Sequence, residues 1–305
     1  MGADMNLLQT SLGRLPLFNP VTVASGTFGT EYGSFYDLNR LGAYVSKTIT
    51  NDPKAGNPCP RLFETEAGLL NSIGLQNPGI DLFIKEHLPL LREKLSIPII
   101  VSFSGSSVSE FRRMLIQLDN CVGISAYEVN ISCPNVENEG IAFGVDAGIV
   151  SELVKTLRAE TERELIIKLS PNVTDIASIA KSAEESGADS LALINTVFGM
   201  AIDPKTGKSR IKRGIAGYSG PAIKPIALAN VYKVAQAVQI PILAMGGIST
   251  WQDALEFFYA GASAIAVGTA SFYDPLAPIR CLEGLETYLK DTDIPLCDLI
   301  GSISF

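Results

Sequence analysis

The sequence is poor in histidine, since His87 is the only one among 305 residues. It lies in the stretch IKEHLPLLREKL, whose pattern predicts a surface helix far from any strand end. A catalytic histidine is therefore nearly excluded, and with it Ser–His and Cys–His dyads. Any general base has to be a lysine, a carboxylate, a tyrosine or a cysteine.

Metal-binding and disulfide patterns are also missing. The five cysteines are odd in number, widely spaced and never arranged as CxxC; they are Cys59, Cys121, Cys133, Cys281 and Cys297. This spacing does not predict a zinc or iron–sulfur site, and a reducing compartment disfavours disulfides. We therefore expect no metal in this chain.

The distribution of charge and of apolar residues disfavours further classes of protein. The chain has 32 acidic and 24 basic residues, a net charge of −8, and no run of Lys or Arg, so a nucleic-acid partner is not expected. No apolar run approaches the ~18 residues of a membrane-spanning helix. The first stretch, MGADMNLLQTSLGRLPLF, lacks the basic and apolar regions of a secretion signal. We expect a cytoplasmic protein without a membrane partner.

What the chain does have is a repeated pattern of strand and helix. Eight short apolar runs predict strands; they cover 19–25, 42–47, 97–104, 126–132, 165–170, 189–195, 240–247 and 263–269. Amphipathic stretches between them predict helices, among them 146–160, 175–187 and 251–261. Eight strand–helix units predict an α/β fold of the (β/α)8 TIM-barrel type. The alternative, an open doubly wound sheet, usually carries a G-x-G-x-x-G turn, which is absent here.

We predict one barrel domain over residues 1–305, with one unusually long connection at about 196–225. Connections of this length in compact domains are usually functional. A turn signal at 205–207, flanked by extended residues, predicts a hairpin over the mouth of the barrel.

Polar residues follow the ends of the predicted strands. They are Ser25, Lys47, Ser102, Ser104, Asn130, Cys133, Lys168, Asn195 and Thr196. The carboxyl ends of barrel strands meet at one mouth, so we expect these side chains to converge there. Buried lysines and asparagines need polar partners, which implies an anionic, hydrogen-bonding ligand. After the last two strands come Gly246, Gly247, Gly268 and Thr269, where backbone N–H groups can approach a phosphate.

Two residues of the fourth predicted strand and its loop are candidates for acid–base chemistry. Glu128 lies two positions before Asn130 and shares its side of the strand. Cys133 lies just beyond that strand, and a free thiol titrates near about pH 8.5. The residues alone therefore indicate a phosphate-binding barrel with cysteine or lysine chemistry.

Several motifs resemble those of the class 1 dihydroorotate dehydrogenases. They are ASGTFG (24–29), SKT (46–48), GNPCPR (56–61), LNSIGLQNPG (70–79), NISCPN (130–135), KLSPNVTDI (168–176), INT (194–196), GPAIKPIAL (220–228) and GGI (246–248). The likeness covers essentially the full chain. It implies a flavin enzyme of pyrimidine synthesis that oxidises (S)-dihydroorotate to orotate with FMN inside the barrel.

The resemblance also implies roles for individual residues. It makes Cys133 the general base, on a loop (133–146) that closes over the substrate. It assigns substrate binding to Lys47, Asn71, Ser72, Ile73, Gly74, Leu75, Asn130, Asn195 and Thr196. It assigns FMN binding to Ser25, Lys47, Thr48, Asn130, Lys168, Ile194, Gly220, Gly246, Gly247, Gly268 and Thr269. In this assignment the positive charge of Lys168 stabilises the reduced flavin.

The motifs divide between two subtypes of this family. Ser102 stands where the NAD-linked subtype commonly has asparagine, and with AYVSKT it favours the fumarate-linked homodimeric subtype. The stretches KLSPNVTDI, AFGVDAG and GLQNPG favour the NAD-linked subtype (class 1B), which we predict. That subtype implies a homodimer joined to an electron-transfer subunit with FAD and an iron–sulfur cluster, together a heterotetramer.

Two rival functions use the same phosphate loops. One is an aldolase or isomerase barrel in which Lys168 forms a Schiff base with the substrate. The other is a barrel that binds a nucleotide without catalysing a reaction.

Overall fold

The computed structural model describes residues 6–132 and 143–305. It contains fourteen strands: β1 Thr10–Leu12, β2 Leu15–Leu17, β3 Val21–Val23, β4 Tyr44–Val45, β5 Leu62–Thr65, β6 Gly68–Asn71, β7 Ile99–Phe103, β8 Ala126–Asn130, β9 Glu164–Lys168, β10 Ser190–Leu193, β11 Val197–Gly199, β12 Ala216–Ser219, β13 Ile242–Ala244 and β14 Ala264–Val267. Its α-helices are α1 Ile80–Leu82, α2 Leu88–Lys94, α3 Val108–Asp119, α4 Ala147–Arg158, α5 Ile176–Glu185, α6 Lys224–Ala235, α7 Trp251–Tyr259, α8 Ala270–Tyr273, α9 Ala277–Thr292 and α10 Leu296–Leu299.

Eight of these strands form one parallel sheet in the order β3-β14-β13-β10-β9-β8-β7-β4. The two end strands also approach each other, since the N–H of Gly42, just before β4, donates to the carbonyl of Val21 in β3 at 2.8 Å. The sheet therefore closes into a (β/α)8 barrel, and all eight predicted strands are confirmed. Most residues of these strands are apolar and buried, because helices cover the outside of a parallel barrel.

The predicted helices are confirmed as α4, α5 and α7. Polar side chains cap the amino ends of these helices. At α4 the side chain of Asp146 accepts a hydrogen bond from the N–H of Ile149, and at α7 Thr250 and Asp253 form a reciprocal capping box. Gly187 and Gly261 follow α5 and α7 with φ of +102° and +111°, a conformation that favours glycine. His87 lies exposed in the helical stretch before α2, as predicted.

A second, four-stranded antiparallel sheet, with the order β11-β12-β6-β5, stands beside the barrel. Its strands β11 and β12 come from the long connection after the sixth barrel strand. Its other two strands, β5 and β6, form a hairpin that the sequence did not reveal. We call this four-stranded sheet the roof sheet, because loops that leave it enter the site described below.

A further unpredicted hairpin, β1–β2, closes the opposite end of the barrel. Its residues Leu12, Leu15 and Leu17 are buried against inward-facing side chains of the barrel strands, including Ile100 and Ile166. The amino end of the barrel interior is thus mainly apolar and is filled by this hairpin. One buried carboxylate, Glu164, also lies there and accepts a hydrogen bond from Ser190.

Candidate functional site

A cavity of about 770 Å³ opens at the carboxyl ends of the barrel strands. It is lined by every predicted binding residue: Ser25, Lys47, Thr48, Asn71, Ser72, Ile73, Gly74, Leu75, Asn130, Lys168, Ile194, Asn195, Thr196, Gly220, Gly246, Gly247, Gly268 and Thr269. The structure therefore brings these residues together, although their individual roles stay predictions. Cys133 lies outside the described residues, and so does most of its loop.

Two lysines enter this cavity from the strand ends. Lys168 ends β9 and is buried, with its Nζ 3.4 Å from Glu128 Oε1. Burial lowers the pKa of Lys47, and the nearby charge of Lys168 lowers it further. A Cβ on Gly26 would lie 2.9 Å from Lys47 Nζ, so glycine leaves the space that this lysine occupies. The pair gives the cavity a positive potential suited to an anion.

Hydroxyl and amide groups join the lysines at the base of the cavity. Thr48 Oγ1 lies 2.9 Å from Ser102 Oγ, and the Ser102 hydroxyl donates to Glu128 Oε1 at 2.8 Å. Asn130 Nδ2 donates to Thr48 Oγ1 at 3.5 Å. Ser102 is therefore a buried partner of Glu128 and not a lining residue.

A loop from the roof sheet crosses the cavity at residues 71–76. Two asparagines outside this segment hold it. Asn57 Nδ2 donates to the carbonyl of Ser72 at 3.0 Å, and Asn77 Nδ2 donates to the carbonyl of Leu75 at 2.6 Å. Leu75 has φ of +54°, a strained value for a non-glycine residue. Asn57 and Asn77 lie within the motifs GNPCPR and LNSIGLQNPG, but those motifs alone do not predict that the two side chains hold this loop.

Amide side chains hold the segment that follows the carboxyl end of β10. Asn195 Nδ2 donates to Ser132 Oγ at 2.8 Å, and the N–H of Thr196 donates to Asn195 Oδ1 at 2.9 Å. Asn172 Nδ2 donates to the carbonyl of Thr196 at 2.9 Å. These bonds hold the amide of Asn195 at the cavity wall, where a ring with amide edges can pair with it.

Glycines form the other end of the cavity. Gly247 has φ of +79°, and a Cβ there would lie 2.8 Å from the backbone N of Lys224 and 3.0 Å from the carbonyl oxygen of Gly220. A Cβ on Gly246 would lie 2.7 Å from that of Ala227. Side chains are excluded here, so the backbone is open to a ligand, as at barrel phosphate sites. Thr269 Oγ1 donates to Ser219 Oγ at 2.8 Å and ties this end to the roof sheet.

The lining therefore fits FMN. The glycine end suits its phosphate, the apolar lining contributed by Ala24, Met245 and Ala266 suits its ring system, and Lys168 supplies positive charge. The cavity is also lined by residues that the sequence did not predict, among them Leu62, Glu64, Phe272 and Tyr273. They belong to β5 and α8. Leu62 is exposed and lies in a hairpin without clear periodicity, so the sequence pattern does not predict it as a lining residue.

Residues 6–132 and 143–305 hold no group of three or more His, Cys, Asp or Glu side chains able to bind a metal ion. Within those same ranges, no helix has the length and hydropathy needed to cross a membrane.

The family model described as dihydroorotate dehydrogenase matches residues 7–289. The chain belongs to this family. A protein of Thermoanaerobacter pseudethanolicus is 49% identical over 299 residues, which cover 97% of this chain and 98% of that protein. A protein of Geobacillus kaustophilus is 49% identical over 292 residues, covering 95% and 93%. Both are named dihydroorotate dehydrogenase B (NAD(+)), catalytic subunit.

The fold has a counterpart among solved structures. A crystal structure of dihydroorotate dehydrogenase from Eimeria tenella, in complex with ferulenol, superposes with a TM-score of 0.79 at 22% identity. The match covers 99% of this chain and 90% of the other. At this identity the likeness supports the barrel fold alone.

Proposed function

We propose that this chain is the FMN-binding catalytic subunit of an NAD-linked dihydroorotate dehydrogenase, which oxidises (S)-dihydroorotate to orotate in pyrimidine synthesis. The observation that carries the proposal is the near full-length identity of 49% to proteins named as that subunit. The cavity supports it, because the predicted binding residues within the described ranges line one continuous space.

Each group of residues has a separate proposed role in the reaction. Lys47 and the asparagines Asn71, Asn130 and Asn195 bind and orient the substrate, whose carboxylate and ring amides match an ammonium group and carboxamides. Cys133 takes the proton from C5 of dihydroorotate. Bound FMN supplies the acceptor for the hydride that leaves C6.

The other end of the cavity would hold the phosphate. Gly246, Gly247, Gly268 and Thr269 line this end, and a Cβ on Gly246 or Gly247 would collide with the protein around it. Ser25 and Thr48 offer hydroxyl groups beside the barrel strands, 3.1 Å apart. Lys168 offers its ammonium group to the ring system, where added negative charge is stabilised on reduction.

Electrons are proposed to leave toward NAD through a partner subunit that carries FAD and an iron–sulfur cluster. The words "catalytic subunit" in the names of the relatives support a partner. A homodimer joined to that partner, forming a heterotetramer in the cytoplasm, remains our proposal. An aldolase role for Lys168 is disfavoured because Glu128 engages its amine in a salt bridge.

The test is the visible absorption spectrum of the purified chain before and after anaerobic addition of dihydroorotate. We expect a flavin band that bleaches, because hydride transfer reduces the cofactor. Orotate, which is already oxidised, serves as the control and should leave the band oxidised. A flavin band that dihydroorotate does not change would reject this substrate, and a protein without flavin would reject the cofactor.

A further inference from the structure

A charged residue that the proposed chemistry does not use lies beneath the cavity. Glu128 is fully buried in the barrel interior, and it does not line the cavity. Its Oε1 accepts a hydrogen bond from Ser102 Oγ at 2.8 Å and lies 3.4 Å from Lys168 Nζ. Its Oε2 has no hydrogen-bond partner among the described residues.

The barrel places these groups by strand register. Ser102 of β7 is paired with Glu128 of β8, and Asn130, two residues further along β8, is paired with Lys168 of β9. Alternate residues of a strand point to the same side, so Glu128 and Asn130 both face the interior. Glu128 therefore lies one layer below the cavity, directly under Lys168.

Such a carboxylate is costly unless it has a function or a partner. A buried ion pair gains little stability over apolar residues of similar size, while removing one partner leaves an uncompensated charge. Here two lysines, Lys47 and Lys168, meet at one cavity, and the charge of Lys168 adds to burial in lowering the pKa of Lys47. Glu128 contacts only Lys168 of the two, so its effect is directed to that ammonium group.

We propose that Glu128 is a positioning residue that anchors Lys168 at the base of the cavity and offsets part of its charge, and that Ser102 orients the carboxylate. The inference rests on the proposed binding of FMN. Reduction adds negative charge to the flavin, so an unopposed Lys168 favours the reduced form. Glu128 thereby sets how strongly this chain pulls electrons from its substrate.

The experiment compares the midpoint potential of bound FMN in the wild-type chain and in Glu128→Gln, measured by spectroscopic titration. Glutamine keeps the shape of the side chain and removes its charge. We expect FMN to stay bound and the ratio of reduced to oxidised flavin at a fixed potential to rise about tenfold, equivalent to about 30 mV for a two-electron couple.

The same substitution made in a Lys168→Met variant separates an effect on the potential that acts through Lys168 from a direct effect of the carboxylate. In Lys168→Met the buried Glu128 has lost the ammonium group through which it is proposed to act. Glu128→Gln should then change the potential little in that background. Equal shifts with and without Lys168 would overturn the positioning role, as would an unchanged potential in Glu128→Gln with FMN bound.

Glu164→Gln is the matched control, because Glu164 is a second buried carboxylate on the barrel strands with its own serine donor, Ser190. It lies at the opposite end of the barrel and should leave the potential unchanged. If Glu128→Gln does not fold, Ser102→Ala takes its place, with a smaller shift in the same direction expected; no shift there would overturn the inference. A wild-type chain without flavin would instead reject the proposed function.

Discussion

Cys133 is the residue on which the proposed proton transfer depends. A serine hydroxyl is a much weaker acid than a thiol, so Cys133→Ser should lose activity near neutral pH and regain part of it at higher pH. Cys133→Ala should lower turnover by about 10²-fold or more while FMN stays bound. The measurement is the pH–rate profile with an artificial electron acceptor. Cys297→Ser, an exposed cysteine, is the control, and an unchanged profile in Cys133→Ser would exclude the thiol as the base.

Gly247 tests the assignment of the phosphate end. In Gly247→Ala the new Cβ meets the backbone of Lys224 at 2.8 Å, and φ of +79° strains any L side chain. We expect the dissociation constant of FMN to rise at least about tenfold, equivalent to about 1.4 kcal/mol. Gly207→Ala is the matched control, since Gly207 also has positive φ, +66°, but has nothing within 4 Å of an added Cβ. Equal FMN affinity in both variants would place the phosphate elsewhere.

The buried carboxyl group of Glu164 should make the free energy of unfolding depend on pH. Burial raises the pKa of this carboxyl from 4.5 to about 7, although it accepts hydrogen bonds from the hydroxyl of Ser190 and the N–H of Arg14. Between those pH values the folded chain holds a proton that the unfolded chain has lost. The free energy of unfolding should therefore fall as pH rises from about 4.5 to about 7, by on the order of 3 kcal/mol.

The measurement for Glu164 is denaturant unfolding at several pH values. Glu164→Gln removes the titrating group, so its stability relative to wild type should improve across that range. Glu162→Gln is the control, because the Glu162 side chain is 94% exposed. A constant difference in unfolding free energy between wild type and Glu164→Gln from pH 5 to pH 8 would contradict the raised pKa.

At the scale of elements, the hairpin β1–β2 acts as a plug for the amino end of the barrel. Leu12 is fully buried there among inward-facing strand residues. Leu12→Ala should reduce the free energy of unfolding by about 2–5 kcal/mol and leave FMN affinity unchanged, because the cavity opens at the opposite end of the barrel. Ser11 is exposed on the same strand, and Ser11→Ala should have little effect. Equal melting temperatures for the two variants would show that the plug carries no stability.

The same elements explain what the sequence could and could not predict. The eight barrel strands are buried on both sides, so each appears as an apolar run in the sequence. Strand β5 has no buried residue among LFET, and β1–β2 consists of two three-residue strands. Such short or exposed strands carry no clear periodicity, and their partners lie far along the chain. The position of Glu128 under Lys168 likewise depends on register across two strands, which a single sequence does not display.

Ser102 illustrates the limit of a single departure from a family pattern. At the sequence level it favoured the fumarate-linked subtype, whereas the relatives at 49% identity have NAD-linked names. In the structure, Ser102 bonds Glu128 below the cavity. Its contacts thus concern the carboxylate that pairs with Lys168 and give no direct information on the electron acceptor.

At the scale of the whole molecule, the electron acceptor has to be tested by assembly. No G-x-G-x-x-G nucleotide fingerprint occurs in the sequence, so the chain alone should oxidise dihydroorotate with an artificial dye and not with NAD. Adding the electron-transfer subunit should give NAD reduction together with a larger species in size-exclusion chromatography. Fumarate is the decisive comparison: if the isolated chain reduces fumarate as fast as the dye, the fumarate-linked subtype is correct. If the isolated chain does not reduce fumarate, and reduces NAD only after the second subunit is added, electrons leave the barrel through its interface with that subunit.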